Sequence, residues 1–135
     1  MVKPQRVPGD PAKAIKNYLA EALPPLVAAP APTVGLVLPT AWTTKSPPAV
    51  VVFDDGGPSA WPVSTSPTIR VTVWADGRDR SRLIAGRCLG VLLSHRIPDV
   101  ATIREPSTLL EARDSNNAAV MASFTVRAQA RTLPF

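Results

Sequence analysis

The first strong pattern along the chain is that of an amphipathic helix. Asp10 and Pro11 predict its start, because aspartate caps the first turn and proline fits the first helical position. Pro24-Pro25 end its regular part near Leu23, since proline cannot donate to the helical hydrogen bonds. The apolar positions fall on one side of a helical wheel, and we expect this side to be buried: Ala12, Ile15, Leu19, Ala22, Leu23 and Leu26.

Three strands are predicted between this helix and the next. Val34–Leu38 is a short candidate, and Ala49–Phe53 is a β-branched run typical of a strand buried on both faces. In 69–74 apolar and polar residues alternate, which indicates a half-buried strand. Pro39–Pro48 and Asp54–Pro67 are rich in turn-forming residues, and we predict both as loops.

The second predicted helix, Asp79–His95, is apolar almost all round. One face carries Ile84, Cys88, Val91 and Leu92, and a nearly opposite face carries Leu83, Leu89, Leu93, Gly86 and Gly90. Such a helix should be covered on two sides, by the sheet and by either the first helix or a neighbouring subunit. The pair Gly86 and Gly90 would let another backbone approach closely. It indicates either close packing on the sheet or first helix, or a subunit seam.

A β-hairpin is predicted near the end of the chain, with strands Thr108–Asp114 and Ala118–Thr132. The turn is placed at 115–117, because asparagine tolerates the left-handed backbone conformation. In the last strand, strict alternation predicts one packed face and one largely polar face. Fifteen residues at ~3.3 Å each would span ~50 Å, which suggests that part of this strand projects or lines a larger assembly.

These elements predict an α+β fold in the order α-β-β-β-α-β-β. We expect a five-stranded, largely antiparallel sheet with both helices packed on one face. Residues 10–135 form a single domain in this interpretation, and residues 1–9 form a flexible N-terminal arm.

Composition sharpens this picture in three ways. Sixteen of the 135 residues are proline, but they fall between the periodic segments, and with 45% hydrophobic residues they indicate stiff loops instead of disorder. A single cysteine excludes an intramolecular disulfide framework, and no apolar run approaches the ~20 residues of a membrane span or forms a signal-peptide core. We therefore expect a soluble protein made in the cytosol. The net charge of +5 is scattered, so it is only a mild indication of acidic partners.

No arrangement of residues predicts catalysis. Cys88 and His95 lie seven positions apart on one helix, ~10.5 Å along its axis, too far for a direct nucleophile–base hydrogen bond. We interpret Cys88 as a buried apolar residue and His95 as the helix terminus. Asp54-Asp55 is interpreted as a solvated turn, since no further acidic cluster completes a magnesium site. We expect no enzyme activity, no catalytic residue, no cofactor and no metal ligand.

Residues suited to contacts between proteins are easier to find. Four arginines gather around the start of the second helix: Arg78, Arg80, Arg82 and Arg87. They would meet nucleic acid or an acidic partner surface, of which we favour the protein surface, or be compensated by the interleaved Asp76 and Asp79. The tryptophans in the two loops are interface anchors or caps on the core edge. The candidate subunit or partner interface comprises Trp42, Trp61, Arg78, Arg80, Arg82, Gly86, Gly90, Arg127 and Arg131.

The element order and three stretches of sequence resemble a known family. These stretches are the opening helix AKAIKNYLAEAL, the strand-to-helix segment TIRVTVWADGRDRSRLIAGRCLGVLL and the closing hairpin LLEARDSNNAAVMASFTVRAQAR. Over Asp10–Arg131 the chain resembles the tail terminator, or tail completion, proteins of long-tailed, non-contractile phages. Its proline-rich, alanine- and arginine-rich composition is similar to that of phages of actinobacterial hosts. The loops 39–48 and 54–67 match no shared feature.

The resemblance implies a structural virion protein without catalytic residues or cofactor. It would form a homohexameric ring that caps the tail tube, stops its polymerisation and offers the head–tail joining surface. Its partners would be further copies of itself, the tail tube protein and the head–tail connector protein, with DNA passing transiently and non-specifically through the channel and no membrane. It would be found in the virion, at the head-proximal end of the tail, and in the host cytoplasm during assembly. Two alternatives remain: a head–tail connector or neck protein, and a small basic nucleic-acid-binding protein.

Overall fold

A computed structural model describes residues 3–135, which fold as an α+β structure with two helices and ten strands. In chain order the elements are β1 Arg6–Val7, α1 Pro11–Ala22, β2 Thr33–Gly35, β3 Ala49–Asp54, β4 Ser59–Ala60, β5 Ser64–Thr65, β6 Thr68–Ala75, α2 Arg78–Ser94, β7 Thr102–Arg104, β8 Leu110–Arg113, β9 Val120–Arg131 and β10 Leu133–Pro134.

Local side-chain chemistry sets both ends of α1, as the sequence predicts. The Asp10 carboxylate accepts a hydrogen bond from the backbone N–H of Lys13 at 3.1 Å, and Pro11 occupies the first helical position. The helix ends at Ala22, with Leu23 as its C-cap. Ile15, Leu19 and Leu23 are fully buried, which confirms the predicted inner side, whereas Leu26, beyond the helix, is 40% exposed.

The central strand of the main sheet is β9. On one side it pairs with β6 along Val120–Arg127 and with β5 at Ala130 and Arg131. On the other side it pairs with β8 at 120–123 and with β7 at 127–129. Beyond β6 lie β3, antiparallel to it, and β2, parallel to β3. The resulting sheet has eight strands.

The prediction of a five-stranded sheet in the order α-β-β-β-α-β-β is therefore wrong. The predicted loop Asp54–Pro67 instead extends the β3–β6 hairpin through β4 and β5, with backbone hydrogen bonds of 2.9 Å from Asp55 to Thr68 and from Ser66 to Pro58. The segment between α2 and the last hairpin, in which no strand is predicted, also contains a strand, β7. These strands are only two or three residues long, and pairing with distant parts of the chain defines them more than local pattern does.

The two faces of the sheet are covered differently. Both helices pack on one face, where the main core includes Ile15, Leu19, Ile84, Leu92 and Phe124. On the other face a smaller cluster is covered by the loop before β3; it consists of Trp42, Ala49, Val51, Trp74 and Ala119. Much of the sheet face opposite the helices therefore remains free for polar side chains.

The alternation predicted for the last strand is confirmed. Every second residue of β9 from Val120 to Ala130 is buried, and those between them are partly exposed. The strand itself is 12 residues long, shorter than Ala118–Thr132. Just after it, β10 pairs with β1, so the segment predicted as a flexible N-terminal arm contains a short strand.

Candidate subunit and partner interface

The outer face of α2 lies uncovered by the rest of the described chain. Leu83 and Leu93 are 49% and 48% exposed on this face. A Cβ built on Gly86 or Gly90 would meet nothing within 4 Å. The glycines therefore serve no close packing against the sheet or α1, although each costs ~1 kcal/mol of helix stability relative to alanine. Of the two sides of α2 that were expected to be covered, the inner side is covered within one chain, and on the other side Leu89 alone of the three leucines is partly buried, against the main core.

The predicted arginines at the start of α2 are held by contacts within the chain. The Glu111 carboxylate on β8 accepts from Arg78 at 3.0 Å and from Arg82 at 3.3 Å. Arg80 instead donates to the backbone carbonyls of Ala28 and Pro30, at 2.7 and 3.0 Å. Positive charge at a helix N-terminus is otherwise unfavourable, and these contacts compensate for it here. Because the ion pairs are partly exposed, each contributes at most ~1 kcal/mol to stability.

The two loop tryptophans have different environments. Trp42 is 7% exposed, packs in the smaller cluster, and donates from Nε1 to the carbonyl of Pro47 at 2.8 Å. It caps the sheet and offers no free surface in this conformation. Trp61 is 53% exposed at the tip of the β4–β5 hairpin. It is thus the member of the pair that is available to a partner.

The hairpin carrying Trp61 is fixed to the end of β9. The Thr132 backbone N–H donates to the carbonyl of Val63 at 3.0 Å, and the Thr132 hydroxyl donates to the carbonyl of Pro62. Arg6 donates to the Thr132 side chain and carbonyl, at 2.6 and 2.8 Å. This end of the molecule exposes several large apolar side chains: Trp61, Val63, Leu133 and Phe135.

Arg127 and Arg131 lie on the polar side of β9 but are not equivalent. Arg127 binds the Glu105 carboxylate at 2.8 Å and the carbonyl of Ser66 at 2.8 Å, so its role is within the chain. Arg131 is exposed, lines a cleft beside α1, and forms no ion pair within residues 3–135. Of the two, Arg131 is the one available for binding.

The sheet is open at two opposite edges, a feature that sequence reasoning missed. Within the described residues β2 pairs only with β3, and β8 pairs only with β9. All four residues of β8 are exposed. Apolar side chains are exposed beside both edges: Leu36 at 41% and Val37 at 75% after β2, and Leu110 at 64% in β8. Leu36 and Val37 could have indicated an exposed sheet edge, but in the sequence they look like part of an ordinary strand, Val34–Leu38.

The cysteine, histidine and aspartates that were weighed as catalytic or metal-binding candidates are buried, cap a helix or bond within the β3–β6 hairpin. Cys88 is fully buried, and desolvation raises the pKa of its thiol to about 12. His95 is the C-cap of α2, as predicted. Asp54 accepts from the backbone N–H of Gly56 at 2.8 Å, and Asp55 pairs with Arg70 at 3.1 Å. In residues 3–135 no group of three His, Cys, Asp or Glu side chains could hold a metal ion.

No protein-family model matches the chain, and no curated protein matches it. Within the described range, neither helix is long and apolar enough to cross a membrane.

Proposed function

We propose that this protein is the tail terminator of a long-tailed, non-contractile phage. In this proposal six copies form a ring that caps the tail tube, stops its growth and presents the surface to which the head–tail connector binds. DNA passes through the ring without sequence-specific contacts. The proposal rests on the resemblance of element order and sequence described above, and one structural observation supports it most directly: the two open edges of the sheet.

Open edges on opposite sides of one sheet favour head-to-tail association. The edge at β2 and the edge at β8 each present unpaired backbone groups, which can pair with another strand. Because the two edges differ, contact between them is heterologous, and such contacts generate a ring when the rotation between copies closes. Apolar side chains beside both edges add area to such a contact.

The outer face of α2 supports the same geometry. Glu111 binds Arg78 and Arg82, so the start of α2 lies beside β8 and its outer face borders that edge. In the proposed ring this face belongs to the seam with the next copy. Gly86 and Gly90 then permit a close backbone approach, a use for them that one chain alone does not provide.

The first test measures mass and tube growth together. Light scattering or mass photometry should give a ring of six 14.3 kDa chains, or a concentration-dependent rise towards it. Added to polymerising tail tube protein, the ring should shorten the tubes seen by negative-stain microscopy and appear at one tube end. A strict monomer at high concentration that also forms no ring on tubes would overturn the proposal.

Two pairs of variants locate the seam. Asp114 donates its N–H to Ala119, so in the alternating antiparallel pattern the N–H of Arg113 points to the open edge. Arg113→Pro should therefore block edge pairing, while Arg113→Ala, which keeps the N–H, should still form rings. Gly90→Glu should also prevent ring closure, and Ala20→Glu, on the exposed side of α1, is its matched control.

The alternatives predict different partners. A head–tail connector or neck protein would co-assemble with the head connector and leave tube length unchanged. A basic nucleic-acid-binding protein would bind duplex DNA with steep salt dependence. Either result, together with unchanged tube length, would replace the terminator proposal.

A further inference from the structure

Each edge of the sheet carries a second short strand, at the other end of β9 from β2 and β8. On the side of β6, β4 pairs with β5 and with no further strand of residues 3–135. On the opposite side, β7 pairs with β9 alone in the same part of the chain. The described sheet therefore has two pairs of open strands: β2 and β8 near the start of β9, and β4 and β7 near its end.

The open strands near the start of β9 lie at the same height, measured along β9. Through β3 and β6, the residues of β2 are level with 121–123 of β9, and β8 pairs with the same part of it. Two copies side by side at equal height would therefore bring Gly35 of one opposite Leu110 of the next. Leu110 is 64% exposed in one chain, and a glycine opposite it leaves room for its side chain.

The open strands near the end of β9 also lie at matching heights. Through β5, the residues of β4 are level with 130–131, and β7 pairs with 127–129. The connector 96–101 continues the line of β7, because the N–H of Ala101 donates to the carbonyl of Gln129 at 2.7 Å. Two copies at equal height would thus bring the β4–β5 hairpin of one against β7 and this connector of the next.

The strand directions allow one rotation to make both contacts. β2 is parallel to β3, and β3 and β9 are both antiparallel to β6, so β2 runs parallel to β9. β4 and β9 are both antiparallel to β5, so β4 also runs parallel to β9, whereas β7 and β8 are antiparallel to it. Copies related by rotation about an axis along the strands keep β9 in one direction. Both contacts are then antiparallel, the slightly more stable form of pairing.

We infer that the seam between copies has two contacts. In the first, β2 of one copy pairs with β8 of the next, and in the second the β4–β5 hairpin packs against β7 and the connector 96–101. The inference rests on the proposed function, because it takes the ring as given and names the parts of the next copy that each edge meets. The exposed Trp61 and Val63, at the tip of the hairpin, would be covered by the second contact. Loss of this contact would weaken the ring and, through it, binding to the tail tube.

The test joins engineered cysteines with bismaleimidoethane, a short thiol cross-linker. Thr33→Cys with Ala112→Cys tests the first contact, and Ala60→Cys with Ala101→Cys tests the second. Within one chain the two residues of each pair lie three or four strands apart, ~14–19 Å at ~4.8 Å per strand, so the linker joins only different copies. At concentrations that form rings, both variants should give covalent products of two to six chains. Cys88 is fully buried, so the parent protein gives the background.

Exchanging the partners gives matched controls from the same four substitutions. Thr33→Cys with Ala101→Cys, and Ala60→Cys with Ala112→Cys, separate the thiols by ~30 Å in height and should give no product above background. Each substitution occurs in one matched and one exchanged pair, so a folding defect would affect both. Circular dichroism checks the fold of all four variants.

Mass measurement in parallel separates this inference from the proposed function. Rings in which the matched pairs give no more product than the exchanged pairs would overturn the inference and leave the ring in place. Product from only one of the matched pairs would overturn a seam with two contacts. A chain that stays monomeric at high concentration and forms no ring on tubes would overturn the proposed function, and this inference with it.

Discussion

The Trp74 indole donates a hydrogen bond from Nε1 to the carboxylate of Asp114, at 3.0 Å. This bond ties the smaller core cluster to the turn between β8 and β9, 40 residues further along the chain. The same carboxylate accepts from the backbone N–H of Asn116 at 2.9 Å and from the side-chain amide of Asn117 at 3.3 Å. The hydrogen bonds from Asn116 and Trp74 lower the pKa of Asp114, since they favour the charged carboxylate.

Asp114→Asn should make the protein less stable at neutral pH. The Asn116 N–H is bound by Asp114 Oδ1 and the Trp74 indole by Oδ2, and in asparagine one of these two positions becomes an NH₂ group, which cannot accept. Because the pKa of Asp114 is lowered in the folded state, its contribution is present above the ordinary pKa of aspartate and is lost as the pH falls through the lowered value. Urea unfolding should therefore show a gap between parent and variant that narrows below about pH 4.

The matched control for this prediction is Asp76→Asn, at an exposed position before α2. It should leave the free energy of unfolding nearly unchanged at both pH values. A gap for Asp114→Asn that stays constant from neutral to acid pH would contradict a role for the charge of the carboxylate.

Alanine substitutions of the two loop tryptophans should have different effects, one on stability and the other on binding. Trp42→Ala removes a buried side chain and its hydrogen bond to Pro47, and should lower the free energy of unfolding by ~3–5 kcal/mol. Trp61→Ala removes an exposed side chain and should change the free energy of unfolding by less than ~0.5 kcal/mol. Under the proposed function it should also reduce association with the tail tube or connector. Thermal unfolding and co-sedimentation with tubes measure the two effects. A stability loss of similar size in both variants would contradict this difference.

Cys88 should react with thiol reagents only when the chain opens. At mildly alkaline pH almost none of the thiol is ionised, because its pKa is raised to about 12 and its side chain is fully buried. Labelling with Ellman's reagent should be slow in buffer and fast in urea, with a rate that follows the unfolded fraction. Rapid labelling of the folded protein would show that α2 separates from the sheet without global unfolding.

Gly86→Ala and Gly90→Ala should stabilise the isolated chain while weakening the proposed ring. Each alanine adds up to ~1 kcal/mol of helix stability and meets no neighbour within the chain. At a close seam the added methyl groups would hold the two copies apart. Melting temperature at low concentration and mass at high concentration measure these opposite effects. Gly77→Ala, at the N-cap of α2, is the control, and it should slightly destabilise the chain.

Elements defined by local chemistry could be predicted from the sequence. The start of α1 follows from Asp10 and Pro11, and the two faces of β9 follow from strict alternation over 12 residues. The strands β4, β5 and β7 could not be predicted, because each has only two or three residues. These strands form by pairing with β9 or with each other, and no local sequence pattern specifies that pairing.

In the turn before β9, the sequence predicted the turn but not the residue that adopts the left-handed backbone conformation. The sequence placed the left-handed conformation on asparagine, but the residue with positive φ, at 61°, is Ala118. The Asn117 side chain instead accepts the backbone N–H of Ala119 at 3.0 Å. Asparagine here supplies a hydrogen bond within the turn, and the unfavourable backbone angle falls on its neighbour.

The candidate interface was predictable only in part. Residue type and spacing single out the glycines of α2 and the two loop tryptophans, but they do not show that both glycines and Trp61 are exposed whereas Trp42 is buried. The carbonyl partners of Arg80 could not be inferred, because Ala28 lies 52 residues earlier in the chain.

The position of β9 in the sheet also fixes the order of events during synthesis. Because β5, β6, β7 and β8 all precede β9, the strand with which they pair, the ribosome makes each of these partners before β9 itself. Neither the β8 edge nor the completed face beneath α2 can exist until β9 has emerged. In the proposed ring, a nascent chain should therefore be unable to join until its β9 has been made.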